Sequence, residues 1–212
     1  MRLFRYLDSA GALLTIEHKA FRVSRLHELN DPFEWRVGAT DLIEGAEYLG
    51  DAAMEESLRD ISSTVGVICF SAVPDEPVLW SHYADRHRGM VLEVEVSDAA
   101  QMTYTDERPH IQAAKVHDWA YLRAVVERLS RQKSRGWSYE QEYRQYVHLP
   151  SCDARGGHYY QKLDQGVLKR VVVGWRSTTD IQYVQRALVS AGFLGATVVR
   201  AAIRNDTYKV QC

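Results

Sequence analysis

Cysteine is scarce in these 212 residues: Cys69, Cys152 and Cys212 stand far apart, and none forms a CxxC pair. That spacing argues against a disulfide framework and a cysteine zinc site, and it suits a reducing compartment. Long apolar runs are missing near the start. The stretch MRLFRYLDSAGALLTIEHKAF is broken by charges, which argues against a signal peptide or membrane span. A cytoplasmic protein with no membrane partner is the expectation. Neither sign of charge dominates, since 26 Lys and Arg against 28 Asp and Glu leave a net charge of -2. A strongly basic nucleic-acid surface over the whole chain is thereby excluded, although a local patch is not. GxSxG, the P-loop and GxGxxG followed by a distant acid are absent, and with them the familiar hydrolase, NTPase and Rossmann signatures. Repeats, low-complexity tracts and long linkers are absent as well.

What is present is enough to build one core. With 46% hydrophobic and 25% charged residues the chain has ordinary globular composition. LFRYL reads as a first strand, and SAGALLTIEHKAF as a helix that a serine can cap. FRVSRLHELNDPFEW is extended and then turns at Asn30-Asp31-Pro32. Residues 39–62 read as an acidic helix. VGVICFSA is a buried strand, and PDEPVLWSHYADRHRG a helix with prolines at its start and glycine at its stop. MVLEVEV alternates as a half-buried strand, KVHDWAYLRAVVERLSRQKSR is helical, and KRVVVGW is a second buried strand. TTDIQYVQRALVSAG makes a last helix and ATVVRAAI a last strand. The expected fold is a single α+β domain over residues 1–212 with at least five strands.

Candidate chemistry sits in four places. NDPFEW is either a plain turn or a loop presenting Asn30, Asp31, Phe33 or Glu34 to a cleft. The segment from Cys69 to Gly89 joins a strand end, a loop and a helix bearing Trp80, His82 and Tyr83, whose rings either fill the core or stack on a flat heterocycle. His82 and His87 are five positions apart and diverge on a helix, so no metal is expected there. Cys69 lies in an apolar strand and reads as an inert thiol. Arg5 and Tyr6 stand in strand one, where the arginine either snorkels outward or turns inward to an anion or a sugar hydroxyl.

The fourth place is WSYEQEYRQYV. On a strand, Glu140, Glu142, Arg144 and Tyr146 share one face while Tyr139, Tyr143 and Val147 cover the other. On a helix, Glu140 and Arg144 are an i,i+4 pair and Glu142 points elsewhere. A solvated charged face is the simple alternative to a catalytic strand.

In order and spacing, NDPFE, CFS, WSHYA, a glycine before a strand and WSYEQEYR resemble a bacterial family described as a domain of unknown function. Its members typically read NDPFE, CFS, WxHYA, G and WxYExEWR. The similarity covers about residues 3–147, with an echo at VVVGW. Those proteins commonly carry arginine after the tyrosine of strand one, where this chain has Leu7. More remotely, the order of parts resembles the ADP-ribosyltransferase superfamily and implies a split or bent, mainly antiparallel sheet flanked by helices.

The resemblance implies NAD as a consumed substrate, with no metal. It places the first-strand cation on Arg5, the hydroxyl at a strand end on Ser71, the nicotinamide-stacking ring on Tyr83 and the ribose-binding carboxylate on Glu142. Tyr6, Asn30, Asp31, Phe33, Trp80 and His82 are expected around the cofactor. Glu140 would face the acceptor, a protein or nucleic acid, and Arg144 would pair with Glu140 and keep it ionised. An NAD glycohydrolase is the close variant. Such a toxin or phage-defence effector would have an antitoxin or immunity partner. Two alternatives remain: a non-catalytic nucleotide- or partner-binding module, and a hydrolase or nuclease using Glu34, His82, Glu142 and Arg144. On the catalytic reading, Glu142→Gln should stop NAD turnover and leave stability nearly intact.

Overall fold

The computed structural model describes residues 1–35, 60–109, 115 and 118–212. Of the acidic helix expected over 39–62, only 60–62 fall within these residues, and residues 60–64 are helical. The chain opens with β1 (Arg2–Leu7), α1 (Ser9–His18), β2 (Ala20–Arg25) and β3 (Val65–Ser71). Then come α2 (Pro77–Tyr83), β4 (Met90–Glu95), β5 (Ala100–Gln101), β6 (Thr103–Thr105) and α3 (Trp119–Arg131). After β7 (Gln132–Ser134) follow β8 (Glu142–His148), β9 (Asp153–Arg155), β10 (His158–Lys162) and β11 (Leu168–Val173). The chain closes with α4 (Ile181–Ala191), β12 (Thr197–Arg200), β13 (Ala202–Ile203) and β14 (Val210–Gln211).

One ten-stranded sheet carries the order β12-β11-β4-β1-β3-β2-β10-β9, with β8 pairing β3 and β5. Its pairs are antiparallel except β11 with β12. The sheet forks at β3. Strand β8 takes one edge along its whole length, from Val65↔His148 to Ser71↔Glu142. The other edge is shared: β2 pairs through Ser24↔Val67 and Arg25↔Gly66, and β1 only through Phe4↔Ser71. The middle of β3, Ile68 to Phe70, therefore has no strand partner on that edge. Gly66 lets β2 and β8 close in at the fork's base, since a Cβ there would stand 2.5 Å from Val23 and 2.6 Å from Leu149.

Alternation along the strands divides the core into two faces. Leu3, Leu92, Val94, Val171 and Val173 pack with Ala12 and Ile16 of α1 and Val184 and Leu188 of α4. On the other face, Phe4, Tyr6, Val91 and Val172 pack with Leu79 and Trp80 of α2. Further along that second face, Val67 meets Val125 and Leu129 of α3. Both helices α1 and α4 begin on an aspartate: Asp8 accepts from Gly11 N–H at 2.6 Å and Asp180 from Gln182 N–H at 3.0 Å.

Four sequence expectations change. Strand β4 is central rather than half-buried. Met90 to Val94 are all buried because helices cover both faces, and Glu93 is held by Arg170 at 2.6 Å and Arg2 at 2.9 Å. Helix α3 stops at Arg131, and Gln132 to Ser134 turn extended to pair with β6. Helix α2 stops at Tyr83, well before Gly89, because Asp85, Arg86 and His87 all take left-handed φ. Gly89 then lets the chain return against β1, where a Cβ would lie 2.1 Å from the Leu7 carbonyl. The expected strand over 139–147 begins only at Glu142, because Arg135–Glu140 is a 3-10 helix and Gln141 is left-handed at φ 43. Among the described residues, no helix is long and apolar enough to cross a membrane.

Candidate functional site

The end of β3 and the start of β8 are tied together at Ser71. Its hydroxyl donates to the Glu140 carbonyl at 2.7 Å and accepts from Val73 N–H at 3.1 Å. Helix α2 begins at Pro77 after a Glu76 cap and carries Tyr83 to the same place. The Tyr83 hydroxyl donates to Glu140 Oε1 at 2.5 Å and accepts from the Asn30 amide at 2.6 Å. Asn30 comes from the NDPFEW loop, which Asp31 closes by accepting from Phe33 N–H at 2.9 Å.

Five charged side chains from four segments meet beneath Tyr83. On β8, Glu142 and Arg144 share a face, as the alternation requires. Arg144 Nε donates to Glu142 Oε1 at 2.7 Å and Nη2 to Oε2 at 3.0 Å. Lys133 of β7 donates to Glu140 Oε2 at 2.6 Å and to Glu142 Oε2 at 3.1 Å. Glu34 lies 3.2 Å from Lys133 and 2.6 Å from Arg144, but its oxygens lack the alignment of hydrogen bonds. These side chains are almost entirely buried, with Arg144 only 1% exposed. The Glu142 backbone N–H is taken by the Tyr104 hydroxyl at 2.7 Å.

The expected pairing of Arg144 with Glu140 is corrected here. Arg144 is bound to Glu142 and Glu34, and Lys133 takes Glu140, because the left-handed Gln141 removes Glu140 from the strand face. The two glutamates consequently differ in acidity. Burial raises Glu140 above the ordinary carboxylate value, and Lys133 and Tyr83 only partly oppose it. Burial would raise Glu142 as well, but Arg144 and Lys133 outweigh it and leave Glu142 below its ordinary value. Burial pushes Tyr83 well up, with the Glu140 charge adding to it, so its hydroxyl remains a donor. Burial also pushes up the Cys69 thiol, next to Glu142, as the inert reading expects.

Arg5 sits across the fork. Its guanidinium donates to the Arg22 carbonyl at 2.8 Å and lies 4.8 Å from the Phe21 ring centre. Among the described residues it has no carboxylate partner, and its Nη1 is buried without a hydrogen bond. Burial, with Arg22 adding repulsion, brings its pKa down to about 10.

These groups line one cavity of about 230 Å³ that opens between β1, the NDPFEW loop and α2. Arg5, Tyr6, Asn30, Ser71, Tyr83, Glu140, Glu142 and Arg144 all reach it, as do Leu7 and Lys133. Asp31, Phe33 and Glu34 instead line a smaller hollow of about 150 Å³ on the far side of Lys133. Trp80 and His82 line neither. Trp80 is fully buried with its Nε1 donating to the Pro74 carbonyl at 2.7 Å, so the phase of α2 spends it on the core. His82 is exposed beside the Tyr139 hydroxyl at 3.1 Å. Lys133 and Tyr104 were not found by sequence reasoning. Lys133 falls in a stretch with helical periodicity, and its one signal is the need of paired buried carboxylates for a cation.

The expectation that Glu142→Gln leaves stability intact also falls. The amide nitrogen would meet donors from Arg144 and Lys133, and both cations would lose charge compensation in a buried place. Comparison with family models, curated proteins and solved structures gives no match for this chain. Chemically, the cavity offers a guanidinium with one free nitrogen and no carboxylate partner among the described residues, a hydroxyl-bearing ring, a fixed anion and a second carboxyl of raised proton affinity.

Proposed function

We propose that the protein cleaves the nicotinamide–ribose bond of NAD and passes ADP-ribose to an acceptor or to water. The observation that carries this reading is the convergence of Arg5, Tyr83, Glu140 and Glu142 on one cavity, with the two carboxylates shifted in opposite directions. Glycosidic cleavage develops positive charge on the ribose, which a preorganised anion such as Glu142 stabilises. A carboxyl with raised proton affinity suits removal of the acceptor's proton, which is the role of Glu140. The free Nη1 of the Arg5 guanidinium supplies a partner for a phosphate or a ribose oxygen.

Size supports one end of the dinucleotide inside and the rest outside. A hollow of about 230 Å³ is smaller than the roughly 300–1,000 Å³ of a pocket that encloses a whole drug-sized ligand. The Glu142 carboxylate has about four acceptor positions, and Arg144 and Lys133 fill three of them. The remaining one is where a ribose hydroxyl would bind, in the cavity that the Cys69 thiol also lines.

The test is incubation of the protein with NAD and a lysate, following free nicotinamide and labelled macromolecules. Glu142→Gln should lower kcat by about a hundredfold or more after correction for the folded fraction measured by circular dichroism. Glu140→Gln should depress transfer while hydrolysis to ADP-ribose continues. If the wild type releases no nicotinamide with any acceptor, the enzyme reading fails, and measurable NAD affinity would then mark a binding module.

A further inference from the structure

The buried cluster holds three carboxylates and two cations, and one cation serves all three acids. Lys133 Nζ lies 2.6 Å from Glu140, 3.1 Å from Glu142 and 3.2 Å from Glu34. Its side chain is 2% exposed, and the ammonium sits 4.9 Å from the Trp137 ring centre. Arg144 touches only Glu142 and Glu34, so among the described residues Lys133 is the cation that reaches Glu140. An ammonium is compact and turns three donors about a single nitrogen, whereas a guanidinium spreads five donors over a flat, rigid fork. The position of Lys133 comes from the short parallel pair of β6 and β7, in which it stands opposite Tyr104. That pair therefore supports both glutamates from outside the recognised motifs: Tyr104 holds the Glu142 backbone and Lys133 holds both side chains.

We propose that Lys133 is a positioning residue that fixes Glu140 and Glu142 on a common ammonium. Glu142 then presents a stationary anion to the cavity, and Glu140 keeps Oε1 turned toward Tyr83. The inference rests on the NAD-cleaving reading of this site. The charged and titratable groups around the pair are Glu34 from the loop, Arg5 from β1, Cys69 from β3 and Tyr83 from α2. Tyr104 from β6, Tyr139 from the 3-10 turn and Arg144 from β8 complete the surroundings. Among the described residues, Lys133 and Arg144 are the cations in contact with the carboxylates. Removing Lys133 leaves Glu140 without a counterion and Glu142, on which nicotinamide release depends, with Arg144 alone, so the proton affinity of both carboxylates must rise.

The experiment compares wild type, Lys133→Arg and Lys133→Met for nicotinamide release from NAD as a function of pH. Lys133→Met should lower kcat at least tenfold with little change in KM, and it should move the acid limb of the profile upward by about one unit or more. Lys133→Arg keeps the charge but not the shared geometry, and should fall between the two. Should Lys133→Met fail to fold, Lys133→Met with Glu34→Gln retains the balance of charge in the cluster and serves in its place. An unmoved acid limb, with activity lost only in proportion to unfolded protein, overturns the positioning role while the NAD reading stands. A wild type without turnover overturns the NAD reading instead. In that event, carboxyl carbon-13 NMR of Glu140, assigned with Glu140→Gln, still decides about Lys133. A midpoint that rises in Lys133→Met supports the role, and an unchanged midpoint ends it.

Discussion

The two halves of the sheet are buried equally well but by opposite means. Around β4 and β11, Val91, Leu92, Val171, Val172 and Val173 are fully buried, and the one buried charge of these two strands, Glu93, is paired with Arg170 and Arg2. Around the end of β8, Glu140, Glu142, Arg144 and Lys133 are nearly as inaccessible, yet every one ionises. Apolar burial contributes roughly 25 cal/mol per Å² removed from water. Burying an ion pair brings a desolvation cost that its own attraction barely repays, and apolar replacements of similar volume are often as stable or more so. Stability alone therefore accounts for the first half and not for the second. The difference teaches where the fold accepts an unfavourable arrangement, and that place coincides with a cavity lined by Arg5, which has no carboxylate partner among the described residues.

The largest expected effects come from breaking each half once. Leu92→Ala should destabilise by about 2–5 kcal/mol through lost burial and a residual cavity. Arg144→Met should cost about 3–5 kcal/mol, because Glu34 and Glu142 would be left without their main counterion. The two variants separate in salt and function rather than in size. Activity per folded molecule should survive Leu92→Ala and collapse in Arg144→Met. Urea unfolding beside nicotinamide release measures both. If Arg144→Met unfolds no more readily than wild type, the cluster is not the coupled unit described here.

Acidity sharpens the comparison next. Glu142 has a folded-state value below its ordinary 4.5, so it stabilises the fold above 4.5 and this contribution is lost as pH falls through the folded value. Glu140 has a folded-state value above its ordinary 4.5, so the native state binds that proton more tightly than the unfolded chain. Its sign is opposite: stability is lost as pH rises from 4.5 through the folded value. Each unit of separation is worth about 1.4 kcal/mol. Urea unfolding as a function of pH should therefore show maximal stability in mild acid, between the two transitions. Glu140→Gln should remove the decline on the neutral side and leave the acid-side loss in place. A stability curve with the same neutral-side slope in both proteins would contradict the raised proton affinity of Glu140.

The apolar half was largely legible in the sequence, and the charged half only in part. VGVICFS and KRVVVGW read as buried strands and Gly192 marks a helix end through local chemistry, whereas the cap of α1 is Asp8 and not the serine that follows it. Arg5, Ser71, Tyr83 and Glu142 were linked by the order of motifs, which carries information that no single segment has. Alternation misplaced Glu140, since nothing local announces that Gln141 turns left-handed. Lys133 escaped because a helical period runs through it, and β7 exists by virtue of its pairing with β6, a long-range partner. Trp80 and His82 show the same limit from the other side. Both are aromatic residues on the right helix, but only its phase against β1 decides that Tyr83 is the ring that meets the cavity.

The smallest effect belongs to a site that touches the apolar half alone. Asp180 caps α4 by accepting from Gln182 N–H, and the helix then buries Val184, Leu188 and Ala191 against the sheet. Asp180→Ala should cost about 1 kcal/mol, within the range of roughly 0.5–2 for loss of such a cap. In a chain of this length that corresponds to a fall in Tm of about 2–4 °C. The helix itself should persist, because packing of its inner face rather than the cap supplies most of its stability. Asp180→Asn retains an oxygen acceptor and should recover most of the loss. Neither variant should change the pH profile of NAD cleavage, since no residue of α4 lines the cavity. Thermal melts and the pH profile taken on the same samples check both statements. A shift of the acid limb in Asp180→Ala would show that the two halves are energetically coupled, and the division drawn between them would have to be abandoned.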